Sequence, residues 1–140
     1  MDIVSKKVRS RMMAAVKGKN TALEKLVFVE MKKRGIRFKK HYGKLPGSPD
    51  LALPQIRKAI FIDGDFWHGY RYPVWQNKIT SPFWRKKIEA NRLRDRRNFR
   101  KLRRLGWQVI RIWGHDIKKS PTKTFQRIYD FVSRRSNLER

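Results

Sequence analysis

The chain contains no cysteine, only three histidines and only 11 acidic residues among 140. Without cysteine there is neither a disulfide framework nor a thiolate zinc site, which fits a reducing, cytoplasmic setting. Apolar runs of the roughly 18–20 residues that cross a bilayer are also missing, and Met1-Asp2-Ile3-Val4-Ser5-Lys6-Lys7 has no apolar signal core. The expectation is therefore neither a membrane-spanning nor a secreted protein. What the chain does have is 37 Lys+Arg, a formal charge of +26, together with 39% hydrophobic residues, five Trp and eight Phe. That apolar content supports one folded domain over residues 1–140 rather than a disordered basic tail.

A surplus of positive charge this large attracts polyanions through counterion release, without regard to base sequence. Nucleic acid is the expected partner; no membrane and no small-molecule cofactor are expected. Composition alone carries no information on catalysis.

Hydrophobic periodicity divides the chain into elements in the order α-α-β-β-β-α-β-α, an α/β fold. A basic helix spans Ile3 to Lys17 and ends at Gly18. Thr21-Ala22-Leu23-Glu24 has the form of a capping box, and Leu23, Leu26, Val27 and Met31 continue a helical period to Arg34-Gly35. Ile36 to Tyr42 alternates apolar and basic residues like a half-buried strand. Asp50 to Leu53 and Lys58 to Asp63 read as two further strands, the second apolar enough to be central in the sheet. Residues 64–80 read as an aromatic-rich loop. Ser81-Pro82 then opens a long helix that runs to Leu105 and stops at Gly106, Trp107 to Trp113 forms a fourth strand, and a helix from Pro121 to about Arg135 closes the fold.

Polar residues that interrupt these patterns are the candidates for chemistry. On the long helix Trp84, Ile88, Asn91, Asp95, Phe99 and Leu102 share a stripe of roughly 80°. Asp95 therefore faces inward, either in a buried salt bridge or in support of a site, and Asn91 is a weaker candidate on the same face. Asp50 begins one strand and Asp63 ends its neighbour, an arrangement that in an antiparallel pair brings two carboxylates together. Such a pair either holds Mg²⁺, a hard cation that takes oxygen ligands, or does no more than cap turns. His68 lies in Asp63-Gly64-Asp65-Phe66-Trp67-His68-Gly69, placed either for proton transfer at a phosphate or simply for a structural hydrogen bond. Phe66 and Trp67 are either core plugs or apolar wedges for a base stack.

Several of these segments together resemble the very-short-patch repair (Vsr) type endonucleases of the PD-(D/E)xK nuclease superfamily. They are Lys7-Val8-Arg9-Ser10-Arg11-Met12-Met13, Asn20 to Glu24, Leu45-Pro46-Gly47-Ser48-Pro49-Asp50, Ile60 to His68, Asn91 to Arg97, and Leu105 to Val109. The resemblance spans about residues 5–117. It implies a restriction-endonuclease-like αβββαβ core over residues 21–117 with a mixed central sheet flanked by helices, an extra DNA-contacting helix at 1–18, and a C-terminal helix at 121–135.

The same resemblance implies a Mg²⁺-dependent endonuclease (Mn²⁺ being an alternative ion) acting on double-stranded DNA in a prokaryotic or phage-type cell. Asp50 becomes the central metal ligand and Glu24 an acid on the metal's water shell. His68 becomes the base or water-positioning group, and Asp95 orients it. Met13, Phe66 and Trp67 become intercalating residues, with Arg9 and Arg11 also on the DNA. The mismatch enzymes carry Thr at the position of Ile62 and His at that of Asp63, which leaves Asp63 either a metal carboxylate or a replacement for that His. They also hold a structural zinc where this chain has Asp65, Tyr70, Tyr72 and His115. No zinc is therefore expected, with Tyr70, Tyr72 and Trp113 packing the region instead. Homing and mismatch-type nicking both remain open at this level, as do a homodimer and a larger chain with a separate DNA-recognition region. The reading from another class is a noncatalytic, basic nucleic-acid-binding module on the same fold.

Overall fold

The computed structural model describes residues 22–64 and 69–134. The expected N-terminal helix, with Arg9, Arg11 and Met13, and the segment with Phe66, Trp67 and His68 lie outside the described residues. The elements are helix α1 (Ala22–Lys33), strands β1 (Lys39–Lys40), β2 (Leu51–Leu53) and β3 (Lys58–Asp63), and the short helix α2 (Tyr72–Trp75). They continue with the long helix α3 (Pro82–Arg104), strand β4 (Gln108–Trp113), and helices α4 (Gly114–Lys119) and α5 (Pro121–Ser133).

The four strands form one mixed sheet in the order β1-β2-β3-β4. β1 pairs antiparallel with β2, β2 antiparallel with β3, and β3 parallel with β4, Ile60 lying opposite Ile110. This is the αβββαβ arrangement expected from the sequence. α3 provides the long crossover that a parallel pair requires. β3 is central and all six of its residues are buried.

Side-chain alternation along β3 divides the core. Ile60 and Ile62 pack with Val27, Phe28, Met31, Ile117, Ile128 and Phe131, on the face covered by α1, α4 and α5. Ala59 and Phe61 pack on the other face with Leu102 of α3, joined by Phe99, Trp107 and Val109. Lys58 shares the first face and is 1% exposed, its ammonium donating to the carbonyls of Phe131 at 2.5 Å and Arg134 at 2.5 Å. The lysine thus caps the C-terminus of α5, where unpaired carbonyls and the helix dipole both favour a cation.

α3 behaves as its sequence pattern requires. Pro82 occupies its first turn, and Ile88, Asp95 and Leu102 are its buried residues. Its end is a Schellman turn: Gly106, at φ +87°, donates to the Arg103 carbonyl and Trp107 to that of Leu102.

Three local expectations change. Paired strand at 36–42 is confined to Lys39–Lys40, because His41 turns the chain at φ 44°. Within residues 64–80 the structure forms α2 and a 3₁₀ turn at Gln76–Lys78 rather than continuous loop. Between β4 and α5 it inserts α4, a six-residue helix with too short a period to read from sequence.

Candidate active site

The turn after β1 and the start of β2 run side by side, with His41 N–H donating to the Asp50 carbonyl at 3.0 Å and Tyr42 N–H to that of Pro49 at 2.9 Å. This fold-back carries His41 and Asp50 towards the first turn of α1, where Glu24 is buried. His41 Nε2 lies 3.3 Å from Glu24 Oε2 and 4.0 Å from Asp50 Oδ1. One ligand atom from each of the three residues falls within 4.8 Å of the others. Asp50 and Glu24 were read from the sequence. His41 was not, although it is one of only three histidines and stands where the alternation of the strand ends.

The Asp50 carboxylate is fixed by the backbone, since its Oδ2 accepts the Ile62 N–H at 2.7 Å. Burial raises its pKa first and most. The Ile62 hydrogen bond opposes that shift, the negative charges of Glu24 and Asp63 add to it, and the result is a carboxyl pushed up to about 8. The donor chemistry therefore suits a hard divalent cation: two buried carboxylates and an imidazole converge, and positive charge among them would return Asp50 to its ionised form.

Asp63 stands at the end of β3. Register pairs Leu51 with Ile60, so Asp50 is level with Phe61 and not directly opposite Asp63. Asp63 Oδ2 instead accepts from Arg111 Nε at 2.7 Å, and the same guanidinium donates through Nη2 to Asp95 Oδ2 at 2.6 Å. Arg111 thereby joins the end of β3 to the inner face of α3. Its guanidinium also lies over Trp113, 4.1 Å from the ring centroid, and over Phe99 at 5.2 Å. The salt-bridge reading of Asp95 thus has a named partner. Sequence reasoning passed over Arg111, although it is the one charge in the apolar run Val109-Ile110-Arg111-Ile112.

Asn91 Oδ1 accepts from Arg94 at 2.8 Å. Tyr70 packs against Trp113 and His115, at ring distances of 5.0 and 4.2 Å, and Tyr72 donates its hydroxyl to Glu89 at 3.0 Å. Ring packing joins Tyr70 to Trp113 and His115, as expected for Tyr70 and Trp113, whereas Tyr72 meets Glu89 and the Arg92 guanidinium instead. Outside this cluster α3 presents a basic face, where Arg96, Arg100, Arg103 and Arg104 line a concavity of about 460 Å³ with Phe99. Such a face suits a phosphate backbone. No helix among the described residues is long and apolar enough to cross a membrane.

Comparison with known proteins identifies the family. Residues 1–73 match the family described as DNA mismatch endonuclease Vsr. The chain is 40% identical over 113 residues to the type II nicking enzyme V.XorIIP of Xanthomonas oryzae pv. oryzae, covering 80% of this chain and 83% of the relative. It is 37% identical over 126 residues to the type II nicking enzyme V.HpaIIP of Haemophilus parainfluenzae, covering 88% and 89%. To the DNA mismatch endonuclease Vsr of Escherichia coli it is 35% identical over 113 residues, covering 80% and 72%. The chain therefore belongs to the Vsr family of DNA endonucleases, hydrolases of the phosphodiester bonds of DNA.

Proposed function

We propose that this protein nicks one strand of mismatched duplex DNA in a Mg²⁺-dependent reaction. The observation that carries the metal requirement is the convergence within 4.8 Å of the buried carboxylates Glu24 and Asp50 with the half-buried His41, in a protein of charge +26. The relatives' descriptions as a mismatch endonuclease and as nicking enzymes favour nicking over a homing role.

Asp50 is assigned as the central ligand and Glu24 as a second carboxylate, with His41 completing the set. When bound there, a divalent ion supplies Lewis-acid stabilisation of charge on the scissile phosphate. Asp63 and Asp95 are assigned to holding Arg111 at the rim, and Asp63 contributes to the negative field on Asp50. His68 is assigned as the water-activating base; Met13, Phe66 and Trp67 are assigned to the base stack, and Arg9 and Arg11 to the DNA backbone. These six rest on the family resemblance.

The test is a nicking assay on matched and mismatched duplexes with Mg²⁺, or Mn²⁺ in its place, for the parent and for Asp50→Ala. One-strand cleavage of the mismatched duplex by the parent, lost in Asp50→Ala, is the expected result. Tight DNA binding without cleavage under any divalent ion would return the protein to the noncatalytic reading, and cleavage of both strands at a long matched site would replace nicking by a homing activity.

A further inference from the structure

A second concavity, of about 210 Å³, lies where the chain after β3 meets α3 and β4, and four arginines line it: Arg71, Arg92, Arg96 and Arg111. Arg111 is held by Asp63 and Asp95. Among the described residues, Arg71, Arg92 and Arg96 have no carboxylate within ion-pair distance. Like charges gathered on one small cavity repel each other, and an anion placed among them removes that repulsion.

Three of the four guanidinium groups are seated on rings. Arg71 lies 5.4 Å from the Tyr70 centroid, Arg92 5.3 Å from that of Tyr72, and Arg111 4.1 Å from that of Trp113. A ring covers the face of a guanidinium and not its in-plane N–H donors, from which tetrahedral oxyanions accept; on Arg111 two of these already serve Asp63 and Asp95, so Arg71 and Arg92 offer the fuller sets. Seating also lowers the rotamer entropy lost on binding. The backbone adds to the fit at Gly69, which has φ +70° and where a Cβ would meet Arg92 Cδ at 2.5 Å. Only glycine lets the Arg92 stem lie flat against this segment.

The cavity adjoins the candidate catalytic centre, since Arg111 in its wall is bound to Asp63, the residue after Ile62, whose N–H holds the Asp50 carboxylate. We propose that this arginine cavity is a phosphate seat for the strand being cut, holding a backbone phosphodiester next to the scissile one. The proposal rests on the endonuclease reading and deepens it. An internal diester is the favoured occupant because the cavity is open, so a strand passes through it without ending there.

The test is binding in chelator to duplexes in which each backbone phosphate of one strand is replaced in turn by a neutral methylphosphonate. The parent loses about tenfold in affinity at a position neighbouring the cut, the size of a charge-assisted contact. Arg71→Gln/Arg96→Gln, both exposed positions, loses under about twofold at that position and keeps the parent's losses elsewhere. Thermal melting establishes that the variant is folded. An unchanged position profile in the variant, or a fall in affinity equal at every position, overturns the proposal. So does a response confined to the terminal phosphate of a pre-nicked duplex. Nicking of the same duplexes is scored separately: a folded parent that shows the position profile but never cuts defeats the endonuclease reading alone, whereas cutting without the profile defeats the phosphate seat alone.

Discussion

His41 Nε2 lies 3.3 Å from Glu24 Oε2, which joins the turn after β1 to the first turn of α1 across 17 residues of sequence. With Asp50, the residue before β2, the pair forms a three-residue donor set that no single segment of the chain contains.

Replacing His41 by Ala therefore weakens the response to metal more than the binding of DNA. The Mg²⁺ concentration for half-maximal nicking rises by about tenfold or more, in line with losses at supporting positions of metal sites, while DNA affinity in chelator stays at the parent's value. A titration of nicking rate against Mg²⁺ for the two proteins measures it, and an unchanged midpoint removes His41 from the site.

Asp50→Asn separates function from stability. The folded parent keeps a proton on Asp50 up to about pH 8, whereas the unfolded chain releases it above pH about 4. In chelator the parent's stability therefore declines as pH rises from about 4 to about 8, because the unfolded state is the one that binds fewer protons there. The asparagine variant lacks that decline, so its advantage in urea unfolding grows over the same window even as its nicking is lost. Parallel pH profiles for the two proteins would contradict the raised carboxyl.

Arg111→Met leaves Asp63 and Asp95 without their shared cation. Both carboxylates are buried, so the expected destabilisation is about 3 kcal/mol, the range for breaking one side of a buried ion pair. Denaturant melts measure this loss. Adding Asp63→Asn and Asp95→Asn to the methionine variant recovers a large part of it, and failure of that recovery shows that the guanidinium acts through packing on Trp113 rather than through charge.

Lys58→Met keeps most of the length of a buried side chain but removes the donor to the Phe131 and Arg134 carbonyls. The end of α5 then holds unsatisfied acceptors, with a loss of about 1–3 kcal/mol. Faster amide exchange over the last turn of α5 is the local signature, and an unchanged exchange pattern would show that water replaces the ammonium.

Much of this architecture is legible because it depends on local rules. The stripe on α3, its Pro82 start and its Gly106 stop are set within a few residues, and the apolar run of β3 marks a central strand wherever it lies. Asp50 stood out because acids are scarce in the chain, Glu24 only through the family resemblance, and Asp95 because it interrupts an apolar face. His41 and Arg111 gave weaker signals. The first looks like the end of an alternating strand and the second like one more cation among 37 Lys+Arg.

The amino-acid sequence by itself determined the order of elements, the basic character of the surface and the family to which the chain belongs, since each follows from composition, periodicity or ordered motifs. Which acids meet was decided only in three dimensions. Strand register sets Asp50 level with Phe61, two residues short of Asp63, and the parallel pairing of β3 with β4 brings Arg111 beside Asp63 across 48 residues. Side-chain direction alternates along a strand, so such partnerships depend on pairing register, which is fixed by the packing of both sheet faces and not by either strand alone.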